Sequence, residues 1–458
     1  MLHYGFTSHE SWGGTVPKVR NVIVIGVVLA ALAAAGVAPA AAQSSSEKPK
    51  ATEIGVTPTE IHIAVEADVD NPFVPGLFQG IVDGVRAGAK YLNSEAGGGG
   101  VAGRKVVVDF IDSKLSPNDA RNGAISACSD DFALVGTSAL FLTNVDDIVN
   151  CKDQAGATTG LPDVAAIVTG VPESCASTTY SINPPQLVCS TKDQHPQTYW
   201  GNQGDAKWLL GQNKNGLHGP MLVSNDSKDA QRGATAIIDA AIAAGIKADQ
   251  KPVLSGRDPQ SAYTPVVNQM KIDKSNYALT TMALSNAVEL RSEAQLQGVT
   301  DPKIVWECTT CYDNAIHANA AVMDGTYMTL KYLPFEEAKS NPMLQTFLTY
   351  VGRKNANGFS VFGWVAALAF GEAANTTAKI QGVNGLTRAN LLKSLSGLTA
   401  FNAGGMFGTT NIGKHIPTPC FLMEQFTKDK FERLYPAKAG TFDCKASNNI
   451  KVKDDLIG

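Results

Sequence analysis

The feature of this sequence that most constrains its fold is the alternation of strand-like and helix-like segments. Residues 60–66 (EIHIAVE) are rich in β-branched residues and predict a strand, whereas residues 76–93 carry apolar residues at three- and four-residue intervals and predict a helix. A buried strand over 105–110, a helix that begins with Ser116 as its N-cap, and a strand over 132–136 continue the pattern. Strands that alternate with helices form parallel sheets covered on both faces, so the pattern predicts an α/β fold.

A second run of the same kind follows an irregular, proline-containing region at 172–215. Its predicted strands cover 220–224, 253–254, 277–284 and 303–307. Its predicted helices cover 229–244, 263–272 and 285–297, and later helices cover 344–350 and 363–374. A hairpin is predicted over 421–426 and 430–434. Two such runs predict two α/β lobes, which agrees with the two or three domains expected for a chain of 458 residues.

The N-terminus has the composition of an export signal. Lys18 and Arg20 precede an apolar stretch that ends in the alanine-rich segment before Gln43. A basic region, an apolar region and an A-x-A motif are typical of a secretory signal, so we expect a signal peptide over 1–42 and an exported protein. An uncleaved membrane anchor is the alternative, because the apolar stretch is about long enough to span a bilayer. The polar residues 43–57 are expected to form a flexible leader.

All eight cysteines follow this segment, and an even number in an exported chain indicates disulfides. The count does not fix the pairing, but the sequential pairing is the most economical: Cys128–Cys151, Cys175–Cys189, Cys308–Cys311 and Cys420–Cys444. The Cys308-Thr-Thr-Cys311 spacing also matches a redox motif or half of a zinc site. Zinc would need a second ligand pair, and none has the required spacing.

Composition and motifs argue against several other functions. The formal net charge is −4 and the mature part has no basic run, so we expect no nucleic-acid partner. Gly98-Gly-Gly-Val-Ala-Gly103 matches the dinucleotide fingerprint by letter, but a helix precedes it and a strand follows it, the reverse of that fold. No metal-binding or nucleophile motif is present, so we predict no catalytic residue, no metal and no cofactor.

Small polar residues follow several predicted strands. In parallel α/β sheets, ligands bind beyond the carboxyl ends of the strands, where helix N-termini offer free N–H groups. The segments concerned are Gly136-Thr137-Ser138, Ser224-Asn225-Asp226, Ser285-Asn286 and Tyr312-Asp313. Each alone is also explained as a helix cap, whereas convergence between two lobes would create a binding site.

The order and spacing of several segments resemble a known family. They are GVTPTEIHIA at 55–64, GVRAGAKYLNSE at 84–95, GVAGRKV at 100–106, DFIDSKLSP at 109–117, ALVG at 133–136, LVSND at 222–226 and GTYMTLKYLP at 325–334. From about residue 55 to 436 the chain resembles the type I extracytoplasmic solute-binding proteins of ABC transporters, in the leucine/branched-chain amino acid branch.

The resemblance implies two Rossmann-like lobes with parallel sheets, joined by a three-crossover hinge that closes on a small ligand. It places the first lobe at 58–180 and 332–410, and the second lobe at 181–331 and 411–458. It further implies a monomer that delivers its ligand to ABC transporter permease subunits at the membrane, without catalysis. A periplasmic sensor that signals through a membrane partner is the alternative, followed by a secreted enzyme on the same fold.

The resemblance also implies ligand-binding residues in each lobe. In the first lobe, the family's carboxylate-binding loop corresponds to Thr137, Ser138 and Ala139, and an aromatic contact corresponds to Phe73. The second-lobe contacts correspond to Ser285 and Asn286 and to the segment with Glu307, Tyr312 and Asp313; Glu307 or Asp313 would bind an ammonium group. Phe362 and Trp364 are expected either to wall the pocket or to lie in the core.

The sequence departs from the family pattern at two of these places. The family's second-lobe tyrosine, expected near Ala283, is absent, and the cysteine pair Cys308–Cys311 lies in the acidic segment. The ligand therefore stays open between a branched-chain amino acid, an amide, a carboxylate and a more apolar solute.

Overall fold

The computed structural model of the protein describes residues 47–71, 75–183, 189, 197–226 and 228–454. These residues belong to one compact unit. The predicted signal peptide and Phe73 lie outside the described residues. Within the described ranges, no helix is both long enough and apolar enough to cross a membrane.

The first sheet is parallel and has the strand order β2-β1-β3-β4. Its strands are β1 (Glu60–Ala67), β2 (Lys105–Asp112), β3 (Ala133–Val135) and β4 (Asp163–Val164). The accompanying helices are α1 (Gln79–Asn93), α2 (Pro117–Asp130), α3 (Asp146–Val149) and α4 (Val171–Ser174). Ser116 caps α2 as predicted, because its side chain accepts a hydrogen bond from the Asp119 N–H.

The prediction that residues 105–110 form a buried strand is wrong about burial. β2 lies at the edge of the sheet, and Asp109 and Phe110 are exposed. Three successive valines, Val106 to Val108, gave the segment its core-like composition, but only Val106 is fully buried. An edge strand has a neighbour on one side only, which leaves much of its surface in contact with water.

The second sheet is mixed, with the order β13-β12-β11-β10-β9-β6-β7, and β8 pairs with β6. Its strands are β6 (His218–Ser224), β7 (Lys247–Gln250), β8 (Val253–Leu254), β9 (Tyr277–Thr280), β10 (Val305–Cys308), β11 (Thr326–Leu330), β12 (Leu422–Thr427) and β13 (Lys430–Tyr435). The last two strands form the predicted antiparallel hairpin. The accompanying helices are α5 (Gly204–Gln212), α6 (Lys228–Ala244), α7 (Thr264–Asp273), α8 (Leu284–Leu296) and α9 (Ala320–Met323). β5 (Gln197–Asn202) pairs separately with β14 (Asn449–Asp454), so the region predicted to be irregular contains a strand.

Three helices late in the chain return to the first sheet: α10 (Pro342–Val351), α11 (Gly358–Gln381) and α12 (Arg388–Ser396). α11 packs on α1 at close range, because glycines face each other where the helices touch. A Cβ atom at Gly84 would lie 2.2 Å from the Ser360 carbonyl oxygen, and one at Gly363 would lie 2.0 Å from the Ile81 oxygen. The chain therefore crosses between the two sheets three times: after β4, after β11 and before β12.

Residues 47–57, the part of the predicted flexible leader that the structure describes, make hydrogen bonds to distant residues. The Lys50 N–H donates to Asn384 Oδ1 at 2.7 Å, and the Thr52 hydroxyl donates to the Leu386 carbonyl at 2.6 Å. The buried Arg104 guanidinium donates to the carbonyls of Lys50 and Thr57. The described part of the leader is therefore tied to distant parts of the first lobe by hydrogen bonds, where the sequence predicted flexibility.

Arg388, at the start of α12, is fully buried and connects that helix to the first sheet. Its guanidinium donates to the carbonyls of Lys152, Cys128 and Asp131 at 2.8, 2.8 and 2.5 Å. The structure contains the four disulfides of the sequential pairing: Cys128–Cys151, Cys175–Cys189, Cys308–Cys311 and Cys420–Cys444. The first of these lies beside the Arg388 guanidinium, with Cys151 Sγ 2.9 Å from its nearest nitrogen.

Candidate ligand-binding site

A cavity of about 290 Å³ lies where the end of β11 meets the N-terminus of α11. It receives residues from all three crossings between the sheets: Asn183 from the first, Lys331 and Tyr332 from the second, and Phe421 from the third. Its volume is at the lower end of the range typical of sites for small organic molecules. A ligand bound here would touch both lobes and the segments that join them.

The aromatic part of the wall comes mainly from the first lobe and the crossings. Its members are Tyr312, Tyr332, Phe359, Phe362 and Phe421. Tyr332 packs edge-to-face against Phe362, with ring centroids 6.1 Å apart. The Tyr312 hydroxyl donates to Glu336 Oε2 at 2.7 Å and accepts from the Phe335 N–H at 2.6 Å, which fixes the orientation of its ring. These rings offer a rigid apolar surface to a ligand.

The cation of the cavity is Lys331, which directly follows β11 and is half-buried. Its ammonium group donates to Asn183 Oδ1 at 3.0 Å, which joins the first and second crossings. Partial removal from water lowers the pKa of Lys331, and the negative charge of Asp205 opposes that shift.

Three acidic or phenolic groups form a hydrogen-bonded chain that leads from the cavity wall into the core of the second lobe. The Tyr277 hydroxyl donates to Glu307 Oε2 at 2.6 Å, and the Thr329 hydroxyl lies 3.4 Å from Glu307 Oε1 and 3.1 Å from Asp205 Oδ2. Burial, reinforced by the nearby Asp205 charge, raises the pKa of Glu307 to about 8. Burial also raises the pKa of Asp205. Glu307 is therefore mostly protonated at neutral pH, and it does not line the cavity.

The structure places the residues predicted for the first-lobe contact inside that lobe. Thr137, Ser138 and Ala139 are buried, with at most 2% of their surface exposed. The Thr137 hydroxyl donates to Asp163 Oδ1 at 2.7 Å, and the Ser138 N–H donates to the Glu66 carbonyl at 2.8 Å. The polar groups of Thr137 and Ser138 are therefore already hydrogen-bonded within the lobe. For Ser138 the reason is that the β1–β3 pairing continues to this residue.

The residues predicted for the second lobe are divided between several places. Tyr312 and Asp313 line the cavity. Ser285 is exposed in the first turn of α8, whereas Asn286 is buried and donates to the Tyr263 hydroxyl at 3.0 Å. Asp313 is half-buried and caps the following helical turn, because its Oδ1 accepts from the Ala315 N–H.

Of the two aromatic residues weighed for the pocket wall, Phe362 lines the cavity and Trp364 does not. Trp364 is fully buried in the first lobe, packed against the rings of Tyr91, Phe347 and Tyr350. The two residues are neighbours on α11, and the rotation of the helix directs only Phe362 toward the junction of the lobes.

Sequence reasoning missed Lys331, Asn202 and Asp205. Lys331 directly follows the strand pattern of residues 326–330, so a charged residue at a strand end was an available signal. Asn202 and Asp205 lie in a region predicted to be irregular, and nothing local distinguishes them. The Cys308–Cys311 disulfide closes a loop whose Thr309 and Thr310 also line the cavity. Among the residues that the structure describes, no group of three or more His, Cys, Asp or Glu side chains could hold a metal ion.

Comparison with known structures gives several similar folds at low sequence identity. The fatty acid ABC transporter substrate-binding protein from Thermomonospora curvata is 15% identical with a TM-score of 0.62, over 85% of this chain and 97% of that one. A leucine-binding protein from Thermotoga maritima is 13% identical with a TM-score of 0.60, over 82% and 97% of the two chains. An ABC transporter solute-binding protein from R. palustris, in complex with benzoate, is 13% identical with a TM-score of 0.58, over 82% and 95%.

These similarities establish the periplasmic binding protein type I fold, with two lobes and parallel sheets, that the sequence predicted. No curated protein sequence matches the chain. The family model described as periplasmic binding protein matches residues 60–430. Its members bind small molecules for ABC transporters and are typically extracytoplasmic. The chain belongs to the periplasmic binding protein family.

Proposed function

We propose that this protein is an exported substrate-binding protein of an ABC importer, which captures a small organic solute in the cavity and presents it to a membrane permease. The observation that carries the proposal is the composition of the cavity wall, which takes residues from α11 of the first lobe, from β11 of the second sheet and from all three crossings. A ligand there stabilises one arrangement of the lobes over others, because it makes more contacts in the closed form.

The proposed ligand is a branched-chain amino acid or a related amide or carboxylate. Structural neighbours are named for fatty acid or leucine binding, and one is in complex with benzoate, so molecules with a carboxylate and an apolar body are a reasonable starting set. The cavity of this chain pairs a cation, Lys331, with aromatic walls. Among the residues proposed from the sequence, Tyr312 and Asp313 remain candidates for ligand contact.

Export and delivery complete the proposal. A signal peptide over 1–42 would direct the mature chain out of the cytoplasm. The lobe formed by 58–180 and 332–410 and the lobe formed by 181–331 and 411–458 would then move relative to each other. We also propose a monomer, as the resemblance to the family implies.

A thermal-shift screen of residues 43–458 tests whether the protein is a receptor for small solutes. A ligand at one hundred times its dissociation constant adds about 2.7 kcal/mol to the free energy of unfolding. We expect a shift with a small organic solute, and deletion of the gene should then abolish import of that solute. Binding with unaffected import would instead support a sensor, and turnover of the bound solute would support an enzyme.

A further inference from the structure

The cavity wall has hydrogen-bond donors that no described residue uses. Lys331 has three N–H donors, and in the part of the chain that the structure describes its ammonium group bonds only to Asn183 Oδ1. The Nδ2 group of Asn202 is shielded from solvent and has no hydrogen-bond partner among the described residues. The Asn202 Oδ1 accepts from the Gly204 N–H at 2.9 Å, so the amide orientation is fixed with Nδ2 as the unused group.

The buried acceptors of the same wall are already used. Asp205 accepts from the Ala206 N–H through Oδ1 and from the Thr329 hydroxyl through Oδ2. Asp313 accepts from the Ala315 N–H as a helix cap. No buried acceptor atom without a partner belongs to a cavity-lining residue, within the ranges described. The unused donors of Asn202 and Lys331 therefore favour a ligand that brings acceptors.

Charge leads to the same conclusion. Burial raises the pKa of Glu307 to about 8, and Thr329 separates Glu307 from the cavity, so it offers no accessible ammonium partner. Asp205 and Asp313 do line the cavity, and their carboxylates already accept hydrogen bonds from the protein. Lys331 forms no ion pair within 4.0 Å with any described residue, whereas a ligand carboxylate could make a charge-assisted hydrogen bond to it. The rest of the ligand would lie against the rings of Phe359, Phe362 and Tyr332.

We infer that the cavity selects a small monocarboxylate with an apolar body and no α-ammonium group, and that Lys331 and Asn202 bind its carboxylate. This inference rests on the proposed function and narrows its ligand. It also gives the hinge a role in recognition, because Lys331 and its partner Asn183 belong to two different crossings between the lobes. The ammonium-binding role assigned by resemblance to Glu307 then has no counterpart here.

The test is isothermal titration calorimetry of residues 43–458 with benzoate, phenylacetate and hexanoate, beside phenylacetamide, phenylalanine and leucine. We expect at least one of the three carboxylates to bind. We expect phenylacetamide and phenylalanine to bind at least tenfold more weakly than phenylacetate, a difference of about 1.4 kcal/mol. Affinity for the carboxylate should also fall as ionic strength rises, because the contact is between opposite charges.

Two variants locate the contact. Lys331→Met keeps the length of the side chain and removes its charge, and we expect at least a tenfold loss of carboxylate affinity. Lys271→Met, which removes an exposed charge on α7, is the matched control and should bind like the parent protein. Asn202→Asp keeps the oxygen that accepts from Gly204 but replaces the donor with a second oxygen, and it should also weaken binding at least tenfold.

The possible outcomes distinguish failure of the inferred ligand class from failure of the proposed function. Tighter binding of leucine or phenylalanine than of the carboxylates would overturn the inference and leave the receptor proposal standing. Equal carboxylate affinity in the parent and in a folded Lys331→Met variant would overturn it as well; if that variant does not fold, unchanged affinity in Asn202→Asp would overturn it in its place. Failure of all three carboxylates to bind would also overturn it, while the broader screen and the import assay would decide the receptor proposal independently.

Discussion

The close contact between α1 and α11 predicts that Gly84→Ala destabilises the first lobe. The added methyl group would lie 2.2 Å from the Ser360 carbonyl oxygen and 2.8 Å from the Trp364 nitrogen, both backbone atoms that cannot rotate away. Ordinary contact needs 3.4 Å, so the helices must separate by about 1.2 Å. A gap of that size forfeits a quarter to a half or more of the dispersion energy of side chains across the contact.

The net effect follows from two opposing contributions. Alanine in a helix interior is favoured over glycine by about 1 kcal/mol. Overpacking of a tight contact costs about 1–3 kcal/mol, and a clash with backbone belongs at the upper end of that range. We therefore expect Gly84→Ala to lower the free energy of unfolding by about 2 kcal/mol.

The matched control is Gly233→Ala in the interior of α6, where a Cβ atom would meet nothing within 4 Å. It should raise the free energy of unfolding by about 0.5–1 kcal/mol, because only the helix propensity changes. Urea unfolding followed by circular dichroism, with the disulfides intact, measures both variants. If Gly84→Ala proves as stable as Gly233→Ala, the two helices do not approach as closely as the structure shows, and the reasoning fails.

Three further predictions concern other parts of the molecule. Arg388→Met should lower the free energy of unfolding by about 3–5 kcal/mol in urea titrations, because it leaves one buried and two part-buried carbonyls without their donor; unchanged stability would contradict this. Burial raises the pKa of Glu307 to about 8, so its contribution to stability should fall as pH rises from about 5 to 8; urea unfolding at both pH values should show a steeper fall in the parent than in Glu307→Gln, which keeps other carboxyls of raised pKa such as Asp163 and Glu424, and an equal fall in both would contradict this. In the purified mature protein, maleimide in denaturant should label none of the eight cysteines, and peptide mapping should recover the Cys308–Cys311 pair; labelling of either would exclude that disulfide.

Much of the fold could be predicted because its signals are local. The apolar periodicity of α1, the Ser116 cap of α2 and the β12–β13 hairpin depend on residues within a few positions of one another. Burial was harder to predict, because it depends on a strand's place in the sheet. The valines of β2 have the composition of a central strand, yet β2 lies at the edge.

The binding cavity could be predicted only in part. Tyr312 and Asp313 follow a strand that the sequence located, and both line the cavity. Thr137 and Ser138 carried the same kind of signal, but the continued β1–β3 pairing and the buried Asp163 use their polar groups. A strand-end motif indicates which groups are available locally, and it does not indicate which neighbours will bind them.

The sequence by itself determined the α/β class, the two runs of strands and helices, and the family, because periodicity, caps and the order of segments are properties of the chain. Only the tertiary structure decided that Asn183, Asn202, Lys331 and Phe362 share one cavity, since they are up to 179 positions apart and meet only when the chain has crossed between the lobes. The protonation of Glu307 was decided in the same way, because it depends on burial and on the nearby Asp205 charge, and neither can be read from the residues beside it.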